Sequence, residues 1–250
     1  MPQVDVLVPT YRRPLGLAVT LASLYSQTLR DFAVTISDQT PEAEAYLERP
    51  EIRTLMAALS WRDVPVTVHR HLPARGLAEH RQFLLEQARA DYVHFVDDDV
   101  LLDPPVLERM LGVIRAEGCG FVGCAATGLS YLEDERPHQQ HLERRLLAPG
   151  EVLRYKVAWV GGANVLYDRA KLLDVGGFSF WRDLPPEHAG EEAVVQFLLV
   201  HRYGGCGLLP SGTYHLELET NVPDRSVNAT ELFPRLLERL ESGAGRKGVA

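Results

Sequence analysis

Tyr92-Val93-His94-Phe95-Val96 runs straight into Asp97-Asp98-Asp99. An apolar, β-prone segment stops abruptly at three carboxylates. The same punctuation recurs upstream. Val4–Val8 stops at Pro9-Thr10-Tyr11-Arg12-Arg13-Pro14, and Phe32–Ser37 stops at Asp38. Val64–His69 reads as a further strand. Between these runs lie stretches with helical spacing: Leu17, Leu21, Leu24 and Tyr25, a segment within Glu42–Leu59, and Leu77–Arg89. Asp103-Pro104 predicts a helix start, with the Asp103 carboxylate as N-cap and Val106, Met110 and Ile114 along one face. Gly120–Ala126 is the next strand. Strands alternating with helices, through connections too long for hairpins, predict an α/β fold with a mostly parallel sheet flanked by helices. In such a sheet the carboxyl ends of the strands line one edge, where ligands bind. Thr10-Tyr11, Asp38 and Asp97–Asp99 are thereby expected on one rim.

Past Ala126 the rhythm changes. Gly128–Gly150 is polar and reads either as a helix over the sheet or as a flap. Val152–Val160 and Asn164–Tyr167 read as strands, and Asp168–Val175 as a short helix ended by Gly176-Gly177. Glu191–Tyr203 reads as a helix with Gly204 past its end, and Glu231–Leu240 as an amphipathic helix. The expected organisation is one domain over residues 1–216. A helical tail follows over 217–250.

The 250 residues are 46% hydrophobic and 24% charged, ordinary for a globular chain. The longest apolar runs, such as Phe197–Val200, fall far short of the ~20 residues a membrane span needs. The N-terminus lacks a basic region before an apolar core, so no signal peptide is expected. Cys119, Cys124 and Cys206 show no metal or redox spacing and read as reduced core thiols of a cytoplasmic protein. A net charge of −8 argues against a nucleic-acid partner. It also means that a phosphorylated ligand would need its positive potential from something local.

A divalent cation on the three aspartates would supply it. Adjacent carboxylates raise one another's cost of ionising, and a cation removes that cost. Oxygen ligands suit Mg²⁺ and Mn²⁺. Residues two apart in an extended segment point the same way, so Asp97 and Asp99 can face one ion. The plainer alternative is a solvated turn before Asp103. Asp38 either accepts a hydrogen bond from a base or ribose or caps its own turn. Arg81 either reaches phosphate or Asp97 or is a solvated helix charge.

Taken together, the landmarks resemble the family 2 nucleotide-sugar glycosyltransferases. They run in order: Val6-Leu7-Val8-Pro9-Thr10-Tyr11-Arg12-Arg13, Leu24-Tyr25-Ser26-Gln27-Thr28, Ile36-Ser37-Asp38, and Arg75-Gly76-Leu77-Ala78-Glu79-His80-Arg81. His94–Asp99 falls at that family's paired-aspartate position. Gly161-Gly162-Ala163-Asn164, Gly176-Gly177-Phe178 and Gly190-Glu191-Glu192 follow. The resemblance spans about Val4 to His215 and implies a GT-A fold with a Rossmann-like sheet. It further implies that Pro9, Thr10, Tyr11, Arg13 and Asp38 hold the nucleotide, with Tyr11 against the base. Arg81 and Asp97 or Asp98 would contact the uridine-like or ribose groups. Asp99, with His215 of Tyr214-His215-Leu216, would hold Mn²⁺ or Mg²⁺.

The implied activity is a metal-dependent, inverting transfer of a sugar from a nucleoside-diphosphate sugar to an acceptor hydroxyl. The acceptor would be a saccharide, a lipid-linked molecule or another alcohol, with peripheral membrane contact as an option for a lipid. Such a transfer needs a carboxylate base within reach of the hydroxyl. Relatives usually carry Glu-Asp at that place; this chain has Glu191-Glu192, and Glu192 is the expected base with Glu191 as the alternative. Gly161 and Gly162 would let the backbone approach the donor sugar. Trp159 and Trp181 are candidates for acceptor stacking, with ordinary packing as the alternative. A noncatalytic nucleotide-sugar binder and a nucleotidyltransferase are the competing readings. The absence of glycine from Pro9–Pro14 counts against the second.

Overall fold

The computed structural model describes residues 1–124, 126, 128, 144–147, 160–208, 211–219 and 226–243. Its first strand, β1 (Val4–Thr10), is buried along its whole length. A strand read as a continuous apolar run has helices on both faces. Val4, Val6 and Val8 enter one hydrophobic cluster, and Leu7 enters the other. Strand β4 (Tyr92–Val96) splits in the same way: Val93 and Phe95 join the second cluster, Val96 the first. The side-chain period of two thus builds two cores from one strand. The one buried acid in β1, Asp5, accepts the Arg89 and Ala90 N–H groups at 2.6 and 2.8 Å.

Helix α1 (Pro14–Tyr25) starts on a proline, whose missing N–H costs nothing at a first helical position. It is followed by β2 (Phe32–Asp38), α2 (Pro50–Ser60), β3 (Val66–Arg70) and α3 (Leu77–Gln87). After β4 come the short β5 (Val100–Leu102), α4 (Val106–Glu117), β6 (Phe121–Cys124) and β7 (Arg144–Leu147). Strand β8 (Asn164–Asp168) leads into the helix Arg169–Asp174, whose N-cap is Asp168 accepting the Lys171 N–H at 3.1 Å. The helix Glu191–Tyr203, β9 (Gly205–Leu208), β10 (Thr213–His215) and a helix over Phe233–Glu241 complete the order. The expectations over Gly128–Gly150 and Val152–Val160 fall largely outside the described residues.

The main sheet runs β3-β2-β1-β4-β8-β6-β9-β7. The β3-β2-β1-β4 half is parallel throughout. Strand β8 lies antiparallel between β4 and β6. The sheet is thus parallel where it carries the first three strand ends and mixed beyond. Thr10 pairs with Asp38, Asp38 with Arg70, and Val96 with Asn164. The carboxyl ends of β1, β2 and β4 therefore meet the amino end of β8. A separate two-stranded sheet pairs β5 with β10 and sets His215 opposite Val100.

One expected cap is not formed. The N-cap of α4 is Pro105, and no side chain caps it from that position. The Leu107 N–H instead donates to Gln27 Oε1 at 3.1 Å, while Gln27 Nε2 donates to the Asp103 carbonyl at 3.0 Å. Asp103 contributes its backbone, and a side chain 80 positions away does the capping. Helix α3 is treated similarly. His188 Nε2 accepts the Ala78 N–H at 3.2 Å, and its Nδ1–H donates to the Pro185 carbonyl at 2.8 Å. The C-terminal helix packs Leu236, Leu237 and Leu240 on the second core cluster, and Arg235 pairs with Asp183 at 2.7 Å.

Candidate functional site

On the β1 side of the rim, Thr10 Oγ1 donates to Asp98 Oδ2 at 2.6 Å and is also hydrogen-bonded to Tyr46. Burial pushes the Asp98 carboxyl up to about 7, although the Thr10 bond and the Arg13 charge pull it down. Asp98 thus turns toward the strand bearing Thr10. Arg13 Nη1 lies 2.5 Å from Asp99 Oδ2 and 3.4 Å from Asp98 Oδ1, and its Nη2 donates to the Glu219 carbonyl at 2.7 Å. Pro9 sits inside β1 beside Ser37. Tyr11 is partly exposed, with the Arg12 guanidinium 4.9 Å from its ring centroid.

Asp38 is fully buried. Its Oδ1 accepts the Thr40 N–H at 2.8 Å, forming the capping turn that its sequence suggests. Its Oδ2 is paired with Arg70, whose Nη2 also donates to the Thr40 carbonyl at 2.7 Å. Arg70 and Tyr46 were not among the expected site residues. The strand expected to end at His69 runs one residue further, and that residue is the partner of Asp38.

Asp97 and Asp99 point as their spacing predicts. One ligand atom each from Asp97, Asp99 and His215 lie within 4.8 Å of one another. Asp99 is 0% exposed, and its Oδ1 has no hydrogen-bond partner. His215 Nε2 stands 3.3 Å from that oxygen, and its Nδ1 accepts the Glu217 N–H at 3.0 Å. Burial and the Asp97 charge raise the Asp99 carboxyl, while His215 and Arg13 work against that rise. Two carboxylates and an imidazole nitrogen, gathered around a buried oxygen with no hydrogen bond, fit a divalent cation of the Mn²⁺ or Mg²⁺ kind.

Arg81 is 2% exposed, too deep to be a solvated helix charge. Its Nη2 donates to Asp97 Oδ1 at 3.1 Å, and its Nε is 3.6 Å from Glu191 Oε1. Burial disfavours its charge, but Glu191 and Asp97 more than offset this and hold it protonated. Glu191 is buried behind Arg81, whereas Glu192 is partly exposed. Burial, with Glu191 alongside, pushes Glu192 up to about 8, against the pull of Arg81. Gly162 makes room for it: a Cβ there would lie 2.4 Å from Glu192 Cγ. A Cβ on Gly161 would meet nothing within 4 Å among the described residues. Trp181 is half-buried in the turn Ser179–Asp183, packed on the second core cluster with Arg182 4.9 Å from its ring centroid. Trp159 lies outside the described residues.

Residues 5–176 match the family described as Glycosyl transferase family 2. An uncharacterized glycosyltransferase of Haemophilus influenzae is 30% identical over 111 residues, covering 44% of this chain and 34% of that protein. The succinoglycan biosynthesis protein ExoM of Rhizobium meliloti is 31% identical over 127 residues, 48% of this chain and 37% of that protein. The chain thus spans about a third of the length of these curated relatives. Among solved structures, the mannosyltransferase PcManGT of Pyrobaculum calidifontis, in complex with GDP-Man and Mn²⁺, is similar with a TM-score of 0.64. It is 19% identical, and the match covers 100% of this chain and 66% of that one. S. aureus TarS residues 1–349 in complex with UDP-GlcNAc give a TM-score of 0.61 at 15% identity, covering 99% and 68%. Both likenesses identify the fold as GT-A. The fold and the matched span lead to one assignment: this chain belongs to glycosyl transferase family 2.

Proposed function

We propose that the chain is a metal-dependent, inverting glycosyltransferase that moves a sugar from a nucleoside diphosphate to an acceptor hydroxyl. The observation that carries this reading is the convergence of Asp97, Asp99 and His215 on one small volume, with Asp99 Oδ1 buried and His215 Nε2 3.3 Å from it. A divalent cation held there would neutralise the leaving diphosphate as a Lewis acid. GDP-Man with Mn²⁺ and UDP-GlcNAc in the two structural neighbours support a nucleotide-sugar donor.

In this reading the protein's own groups divide the work. Pro9, Thr10 and Tyr11 hold the nucleoside on the parallel half of the sheet, Asp38 shapes the adjoining turn from beneath through Thr40 and Arg70, and Arg13 and Asp98 close the phosphate side. Arg81 holds Asp97 and Glu191 in place, rather than contacting the donor. Glu192 is the general base. It reaches the crevice beside Gly162, and its raised proton affinity lets it take a proton from an alcohol near neutral pH. Glu191, buried against Arg81, is left as its support. The unit 1–216 would carry the whole site, with the helix Phe233–Glu241 packed on the second core cluster. No helix among the described residues is long and apolar enough to cross a membrane.

Calorimetric titration of GDP and UDP with and without Mn²⁺, followed by nucleotide release from a panel of donor sugars, tests this reading. Metal-linked binding together with release supports it. Metal-independent binding, or binding with no release from any donor, overturns it.

A further inference from the structure

The cation triad is assembled from two strands that do not pair with each other. Asp97 and Asp99 follow β4 in the main sheet, while His215 ends β10 in the small one. A three-residue strand paired to another three-residue strand is marginal alone. The pairing of His215 with Val100 and the Leu216 N–H bond to the Asp99 carbonyl at 2.9 Å tie β10 to the stretch after Asp99, and a side-chain tie braces it against the main sheet itself.

The amino end of β8 does this. The Ala163 carbonyl accepts the Asp97 N–H at 3.0 Å, holding one arm of the triad. The next residue, Asn164, is fully buried, and its Nδ2 donates to Thr213 Oγ1 at 2.8 Å, holding the other. The direction of each bond follows from its end point. The Thr213 hydroxyl donates to the Ser211 carbonyl at 3.1 Å, so its oxygen accepts from the amide. The Asn164 Oδ1 then faces His94 Nε2, which must carry the proton. Burial holds His94 neutral, down at about 4. His94, Asn164, Thr213 and Ser211 are joined by one chain of hydrogen bonds that all run the same way. Thr213 and His215 are two apart on one strand and so project to the same side.

We propose that Asn164 is a positioning residue for cation binding, acting through Thr213 on the strand that presents His215 to Asp99. This rests on the cation reading above. Neither residue touches the ion. Partners that orient metal ligands typically change affinity by about 10–100-fold when removed.

The test is Mn²⁺ binding, followed by electron paramagnetic resonance of the free ion, in wild type, Thr213→Val and Thr213→Ser, with metal-free GDP and UDP binding measured alongside. Valine keeps the shape and removes the acceptor, so Mn²⁺ affinity should fall about tenfold or more. Serine restores the acceptor and should restore affinity, and metal-free nucleotide binding should not move. If the valine variant does not fold, Thr213→Cys, a far weaker acceptor, takes its place. Wild-type Mn²⁺ affinity in Thr213→Val overturns this inference alone. So does a serine variant as weak as valine, or a parallel loss of metal-free nucleotide binding. No Mn²⁺ binding by the wild type overturns the cation reading, and this inference with it.

Discussion

Replacing Gly162 by alanine puts a methyl carbon 2.4 Å from Glu192 Cγ, 2.7 Å from its Cδ and 3.0 Å from its Cβ. Carbon atoms settle near 3.5–4.0 Å, so the Glu192 side chain must retreat by roughly 1.1–1.6 Å. The backbone at Gly162 is not in the left-handed region, so the methyl group strains nothing else there. A displacement of about 1 Å at a reacting group costs about 10²-fold. Gly162→Ala should therefore lower kcat about 10²-fold, or about 2.7 kcal/mol of activation free energy. Affinity for nucleoside diphosphate with Mn²⁺ should stay at the wild-type value, because the clash does not reach Asp97, Asp99 or Asp38. Gly161→Ala is the control. Its methyl group meets no described atom within 4 Å, so Glu192 keeps its place and the loss in kcat should be smaller than in Gly162→Ala. The assay is nucleotide release from the best donor of a panel, with titration calorimetry for binding. Full activity in Gly162→Ala, or equal losses in the two variants, would refute the placement of Glu192 as base.

Asp99→Asn should abolish the Mn²⁺ dependence of diphosphate binding with the fold intact by circular dichroism; unchanged affinity would defeat the ligand assignment. Glu192→Gln should keep donor binding and lose about 10²–10⁴-fold in transfer, the usual worth of a general base, whereas the same loss in Glu191→Gln alone would reverse the roles. With Glu192 raised to about 8, kcat/KM should climb between pH 6 and 8, and a flat profile would contradict it. The stability counterpart has the opposite slope. The folded chain binds the Glu192 proton up to about pH 8 while the unfolded chain releases it above 4.5, so this group's contribution is lost as pH rises through that window. Chemical denaturation of Glu192→Gln should show a shallower decline from pH 5 to 8. Gln27→Ala should cost about 1–3 kcal/mol by uncapping α4, and Asp103→Ala much less, both read from urea midpoints.

The strand ends were legible because each apolar run stops at a polar residue within a position or so of the true edge. That placed Thr10, Asp38 and Asp97–Asp99 on one rim, and the two-residue spacing brought ligand atoms of Asp97 and Asp99 within 4.8 Å of each other. The partners were not legible. Arg70 stands one residue past the expected end of its strand, where alternation gives no signal. Gln27 caps a helix 80 residues away, and His188 another 110 residues away. Such bonds leave no local pattern, and the local signal at Asp103 pointed to the wrong group. The reversal of β8 was hidden for a related reason: strand direction depends on the path of the preceding chain, which composition does not encode. At Glu191-Glu192 the sequence favoured Glu192 as the base but did not show that Glu191 is buried against Arg81.

That reversal carries an engineering consequence. Because β8 runs against its neighbours, the stretch entering it abuts the reactive edge, while the stretch leaving it, around Asp168, lies on the far side of the molecule. Extra residues spliced in after Asp168 would part it from the helix it caps, remote from that edge. The same residues spliced in ahead of Asn164 would shift Ala163 and Gly162 out of step with their partners. Tags, linkers and fused modules therefore belong on the far side of this strand.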